Sequence, residues 1–170
     1  DQLLPQGGVY TSITRAQSGT KHEIIGSIAD VKVAAENPAA ILDVMTDPSV
    51  KIVSLTITEK GYCHEPATGR LNLAHPDVVH DLTNPNAPKS AIGFIVTALA
   101  QSREAGRPGF TVLSCDNLPS NGQLVRALVL EFARTINDKL AQWIDQNASV
   151  PATMVDRITP ATTDRDIETL

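Results

Sequence analysis

The stretch Phe110–Gly122, FTVLSCDNLPSNG, leaves a chain few folds to choose from. Phe110, Thr111, Val112 and Leu113 are bulky or β-branched residues in a run too short for a helix, and they follow the breakers Gly106 and Pro108, so the run predicts a buried strand. Ser114, Cys115, Asp116 and Asn117 then bring polar or reactive side chains to the strand's carboxyl end, where open α/β sheets bind ligands. Ser120 and Gln123 have the form of a capping box. Leu124, Val125, Leu128, Val129, Phe132, Ala133 and Ile136 follow at helical spacing. The expected helix turns its unpaired N–H groups and its positive end toward the strand terminus, which favours an anionic ligand there.

The rest of the chain repeats this alternation. VYTSIT at 9–14 and HEIIGSI at 22–28 predict two short strands separated by a Ser/Gly/Thr turn, as a hairpin or as neighbouring strands. Asn37 and Pro38 start a helix that Asp47–Pro48 ends. Lys51–Thr58, KIVSLTIT, predicts a second strong strand with Val53, Leu55 and Ile57 on one side and hydroxyls on the other. The spacing predicts further helices over 90–105, 121–136 and 138–146, a short strand over Thr153–Ile158, and a new helix near Asp164. Between Gly61 and Pro88 a long irregular loop is expected, with a helical turn or two at Pro76–Leu82. Loops of that length inside a compact domain tend to be functional or disordered, and this one carries Tyr62, Cys63 and three histidines, so a packed, ordered loop is expected.

Composition bounds the function. The 170 residues are 42% hydrophobic with a net charge of −5, enough for one domain with its own core. Lys and Arg are not clustered, which argues against a nucleic-acid partner. No apolar run reaches membrane-spanning length and no charged-then-apolar leader opens the chain. Two cysteines make no disulfide framework, so a cytoplasmic setting with reduced thiols is expected. Asp1–Gln6 reads as the tail of a longer polypeptide. Cys63, His64, His75 and His80 are zinc-ligand types, but their spacing matches no metal motif, and no metal is expected.

Strand, helix, strand, loop, helix, strand, helix, strand describes βαβ units, hence an α/β fold with a mostly parallel sheet. No Gly-x-Gly pair occurs in the chain, so the phosphate-cradling first turn of a dinucleotide fold is not present. Several motifs in order nevertheless carry a resemblance. IVSLTITEKGYC at 52–63, APKSAIGFIV at 87–96, FTVLSCDNLPSNG at 110–122 and MVDRITP at 154–160 resemble the mannitol dehydrogenase family of polyol-specific long-chain dehydrogenases. EKGYCHEPATG at 59–69 is most similar to its fructuronate reductase (D-mannonate oxidoreductase) branch. Val150 departs from the Phe usual before the Pro of the final motif.

The resemblance implies a metal-independent enzyme that uses NAD or NADP to interconvert a ketose or keto-sugar acid with its polyol or aldonate. It further implies that residues 1–170 are a partial Rossmann-like domain, lacking the first βα unit and the C-terminal helical domain. The family's catalytic Lys motif, K-x-x-x-x-N-x-x-H, does not occur in the chain. Asn117 matches the Asn that polarises the reacting carbonyl, where arriving hydride builds negative charge on oxygen. An Asn in such a loop also serves as a plain turn former. Asp156 matches an Asp beside the catalytic Lys, where a carboxylate tunes an amine acid–base; its other reading is an ion pair with Arg157.

Thr56, Thr58 and Glu59 are expected to line the cofactor, with Ser114 and Asp116 behind them. Lys89, at a helix start, and Arg157 are candidates for a substrate carboxylate. Small-molecule sugar acids or polyols are the expected partners, with neither nucleic acid nor membrane. Loss of the first strand would bare one edge of the strand at 51–58, an invitation to self-association. The competing reading is a non-catalytic binding fragment, which the missing Lys motif favours.

Overall fold

Two parallel strands carry the sheet on which everything else is arranged. The computed structural model describes residues 3–155 and 163–168. A 3-10 turn at Leu4–Gln6 leads into an antiparallel hairpin of β1 (Tyr10–Ala16) and β2 (Gly19–Ile25), and the chain then enters α1 (Pro38–Thr46). Asn37 caps α1 by accepting from the Ala40 N–H, and Pro38 takes the position where a missing N–H costs nothing. β3 (Ile52–Leu55) follows, then the single turn α2 (Thr58–Gly61), the two-residue strands β4 (His64–Glu65) and β5 (Arg70–Leu71), and α3 (Pro76–Thr83). α4 (Ala91–Glu104) precedes β6 (Thr111–Ser114), and α5 (Asn121–Ile136), α6 (Asp138–Asn147) and α7 (Asp164–Glu168) complete the order.

β3 and β6 pair in parallel, Ile52 opposite Thr111 through Leu55 opposite Ser114, with α4 as the crossover helix. An isolated parallel bridge between Thr111 and Ser149 adds a third line to the β6 side, where the Val112 N–H donates to the Ser149 carbonyl. This is the expected α/β arrangement with a mostly parallel central sheet. The other side of β3 has no ladder partner among the described residues.

α4 is apolar around its circumference, and Ile92 through Leu99 are all buried, so it is packed on every side. Its amino end rests on a buried carboxylate. Asp81 accepts from the Lys89 N–H, the Ser90 N–H and the Ser90 hydroxyl, and Ser90 in turn accepts from the Gly93 N–H. A Cβ on Gly93 would lie 2.1 Å from an Asp81 oxygen, so only glycine permits this approach. The amphipathic α5 buries Val125, Leu128, Val129 and Phe132 against the same core.

Four expectations are corrected. The second strand ends at Leu55, not Thr58, because Asp116 captures the N–H groups of Ile57 and Thr58 and turns the chain into α2. The region 61–88 is packed as expected and α3 stands where a helical turn was expected, but the rest is not irregular throughout: β4 and β5 lie within it, and Tyr62, Cys63, Leu71 and Val78 anchor it in the core. The capping box does not form, since Ser120 adopts a left-handed conformation with φ 51 and caps nothing with its side chain. The strand expected from Thr153 is not a strand over 153–155; Asn121 takes the Thr153 N–H and carbonyl that a ladder would need. The remainder of that segment, with Asp156 and Arg157, lies outside the described residues.

Candidate functional site

The carboxyl ends of β3 and β6 meet, and one side chain joins them. The Cys115 N–H donates to the Leu55 carbonyl at 2.8 Å, extending the ladder one step beyond the strands. Asp116 then reaches across. Its carboxylate accepts from Ile57 N–H at 3.0 Å, Thr58 N–H at 3.1 Å and the Tyr62 hydroxyl at 2.6 Å. Tyr62 is fully buried and its hydroxyl also lies 2.7 Å from Ser114 Oγ, itself fully buried. The two loops are thereby tied by a chain of hydrogen bonds, and its buried link from the Tyr62 hydroxyl to Ser114 lies in a setting where such a bond is strengthened and not cheaply lost.

Burial of the Tyr62 phenol, reinforced by the Asp116 carboxylate that accepts its hydrogen bond, holds its pKa well above the ordinary 10.0, with the Ser114 hydrogen bond pulling the other way. Tyr62 is therefore a neutral donor at any physiological pH. Burial likewise raises the Cys63 thiol above its usual value, and Asp77 and Asp81 add to the effect. A protonated thiol is a poor nucleophile and a poor metal ligand. His75 is spent on accepting from the Asp77 N–H at the start of α3, and His80 lies 3.0 Å from Asp81.

Around this tie the polar groups are open. Thr56, Thr58 and Glu59 are exposed on the β3 side and Asn117 is exposed on the β6 side. Ser114 and Asp116 stand behind them, bracing the loops rather than facing solvent with free polar atoms. Lys89 has an exposed side chain, while its N–H is held by Asp81. The structure thus brings the Thr56–Glu59 and Ser114–Asn117 groups into adjoining loops, and Lys89 belongs to the separate start of α4.

Backbone strain gathers in the same loops. Among the described residues, the non-glycine residues with left-handed φ are Thr58 (φ 61), Cys63 (φ 52) and Ser120 (φ 51). Thr58 and Ser120 lie in the loops that follow β3 and β6, and Cys63 lies between α2 and β4. Such residues cost on the order of 1–3 kcal/mol each and collect at functional sites, where the surroundings hold them in place. By contrast, a groove of about 790 Å³ along the outer face of α5, lined by Arg70, Leu73, Arg126, Leu130, Glu131 and Arg134, shares none of these features. Its Arg70–Glu131 pair at 2.6 Å is a surface bridge to the β4–β5 hairpin.

Two structural supports of these loops were not legible as such. Tyr62 reads in the sequence as one more loop aromatic, and only the fold brings it beneath Asp116 from 54 positions away. Asn121, 2% exposed, looks like an ordinary first helical residue but bonds to Ser114, Asp116 and Thr153. The signal available was the Asn-Gly pair, since a Cβ on Gly122 would stand 2.6 Å from the backbone of Pro151 and Ala152.

The model of the mannitol dehydrogenase Rossmann domain matches residues 1–169. An uncharacterized oxidoreductase, YdfI, of Escherichia coli (strain K12) is 46% identical over 163 residues, covering 95% of this chain and 34% of the relative. D-mannonate oxidoreductase of the same organism is 44% identical over 169 residues, covering 99% of this chain and 35% of the relative. Among solved structures, Pseudomonas fluorescens mannitol 2-dehydrogenase in ternary complex with NAD and D-mannitol superposes with a TM-score of 0.91 at 43% identity, covering 96% of this chain and 33% of that one. The chain spans about a third of the length of the curated relatives it matches.

Proposed function

The chain belongs to the mannitol dehydrogenase Rossmann-domain family, and from that premise we propose that it forms part of the cofactor domain of a nicotinamide-dependent oxidoreductase. The reaction is the interconversion of a ketose or keto-sugar acid with its polyol or aldonate, of the fructose/mannitol or fructuronate/mannonate type. The observation that carries this reading is the Asp116 tie, which draws the ends of two adjacent parallel strands together and leaves Thr56, Thr58, Glu59 and Asn117 exposed around it. Ligands of open α/β sheets lie at such ends.

These residues fit a nicotinamide nucleotide. Hydroxyls and a carboxylate suit the ribose hydroxyls, and the strained, pinned loops supply a fixed platform. When bound, the cofactor supplies the hydride chemistry. The relative solved with NAD supports NAD over NADP here. Thr56, Thr58 and Glu59 orient the ribose end. Asn117 donates its amide N–H to the substrate oxygen where negative charge builds, a contact whose removal typically costs about 10²–10³ in kcat. Asp156, by its place in the MVDRITP motif, holds the charge balance of an amine acid–base from the Lys motif that the family resemblance implies. The Lys89 ammonium and Arg157 guanidinium are suited to a sugar-acid carboxylate.

The isolated 170 residues, without that Lys motif, act as a binding module without turnover. The unpaired side of β3 supports pairing with a further strand or a second copy, read by sedimentation of the isolated chain. A cytoplasmic setting suits the same chemistry. No helix among the described residues is long and apolar enough to cross a membrane. The test is to assay the gene product carrying this chain with NADH and NADPH against fructose, fructuronate and related keto-sugars. NADH oxidation with one of them, reduced about 10²-fold or more by Asn117→Ala, is expected. No oxidation of either cofactor across the panel overturns the reading.

A further inference from the structure

The loop that carries Asn117 is held from both sides, and the second hold is assigned to nothing so far described. On one side is the Asp116 carboxylate. On the other is Asn121, whose amide is among the most connected side chains near the site. Its Nδ2 lies 2.7 Å from Thr153 Oγ1, 3.2 Å from the Thr153 carbonyl, 3.3 Å from the Asp116 carbonyl and 3.5 Å from the Ser114 carbonyl. Its Oδ1 accepts from Gly122 N–H at 2.7 Å and Thr153 N–H at 3.0 Å. Two hydrogens on Nδ2 serve four acceptors, so the short contact to Thr153 Oγ1 takes one and the three carbonyls share the other.

Thr153 completes the arrangement. Its hydroxyl donates to the Ser114 carbonyl at 2.5 Å, so a relay runs from Asn121 Nδ2 through Thr153 Oγ1 to Ser114. The carbonyl groups gripped in this way, on Ser114 and Asp116, belong to the residue ending β6 and to the residue directly before Asn117. The Leu118 N–H also donates to the Asp116 carbonyl at 2.9 Å, closing the turn on the far side of Asn117. Asn117 is thus the exposed apex of a turn whose flanks are fixed by Asn121 and Thr153.

We propose that Asn121, with Thr153, is a positioning residue for the Asn117 amide, setting where that amide meets the substrate oxygen. The inference rests on the dehydrogenase reading above. A donor must sit where charge develops, and a misplacement of about 1 Å can cost on the order of 10²-fold in rate. Neither Asn121, which is buried, nor Thr153, which is occupied on both sides, touches substrate. Both act through Asn117.

The experiment is a double-mutant cycle in the gene product that carries this chain. Asn121→Asp keeps the size and the acceptor side but removes both donors. Thr153→Val keeps the shape but removes the hydroxyl, and serves where Asn121→Asp fails to fold. Each is expected to lower kcat about 10-fold or more while the KM for the nicotinamide cofactor changes by less than about threefold. Thr153→Ser, which restores the relay, is expected to keep kcat within about threefold of wild type. In an Asn117→Ala background neither Asn121→Asp nor Thr153→Val lowers kcat further, because the group they position is gone.

Equal losses in both backgrounds, or a raised KM with unchanged kcat, overturn the proposal and leave the dehydrogenase reading intact. A wild-type protein without turnover on any keto-sugar overturns that reading and this inference with it.

Discussion

Replacing Tyr62 by Phe removes one oxygen and no packing volume, which isolates the tie between the two strand ends. Phe fills the space of the fully buried ring, so no cavity forms. What is lost is a hydrogen bond to a carboxylate, about 1.5–3 kcal/mol, and the pairing of a fully buried Ser114 hydroxyl, whose stranding costs about 1–3 kcal/mol more. Asp116 keeps two N–H donors and is partly solvated, which moderates the first figure. A loss of about 3 kcal/mol is therefore expected, a large share of the roughly 5–15 kcal/mol that stabilises a typical domain. Urea unfolding followed by the fluorescence of Trp143, the chain's one tryptophan, measures it as a lower midpoint at unchanged slope. Adding Ser114→Ala removes the stranded hydroxyl, so the double variant should recover about 1 kcal/mol or more relative to Tyr62→Phe alone. A Tyr62→Phe protein within about 0.5 kcal/mol of wild type refutes the reasoning. So does a double variant whose cost is the sum of the singles.

Gly122→Ala sets two effects against each other: helix propensity favours Ala by about 1 kcal/mol, while its Cβ would stand 2.6 Å from the Pro151–Ala152 backbone. Net destabilisation of about 1–3 kcal/mol is expected by thermal or urea unfolding, and a stabilised protein would show that segment 151–152 does not approach the helix start. Glu131 tests electrostatics. Burial raises its pKa, but the Leu71 N–H and the Arg70 guanidinium outweigh this and hold it below the ordinary 4.5. A depressed carboxylate stabilises the fold above its unfolded value, and that stabilisation is lost as pH falls through the folded value, so the loss belongs below pH 4.5. Glu131→Gln should flatten this acid limb of the stability curve, and an unchanged limb argues against the pairing. The isolated 170 residues should produce no change in nicotinamide absorbance with mannitol or mannonate, and turnover by the chain alone would contradict the division of labour proposed here.

What was legible in the sequence follows from short-range chemistry. Asn37–Pro38 starts α1 because both residues do their work locally, and Ala91–Glu104 is helical because its apolar residues recur without interruption. The hairpin at 10–25 and the strand before Ser114 follow from β-branched runs bounded by turn residues. The failures share a cause. Lys51–Thr58 alternates well enough to extend the strand three residues too far, and what stops it at Leu55 is Asp116, nearly sixty positions away. Ser120 offers a cap in the sequence, yet Asn121 is committed to Thr153, over thirty positions on, and the helix starts on those terms instead. The site shows the same division. Thr58, Glu59 and Asn117 were legible as polar residues near the carboxyl ends of strands, because such ends are visible locally. Tyr62 and Asn121 were not, because their partners are set by tertiary structure.

The most direct test of the account is a crystal structure of the gene product carrying this chain, grown with NAD. The expected result is a nicotinamide ring lying between the Thr58–Glu59 turn and the Asn117 loop, with a ribose hydroxyl on Thr56, Thr58 or Glu59. A cofactor bound away from both loops, with Asn117 still open to solvent, contradicts the central claim.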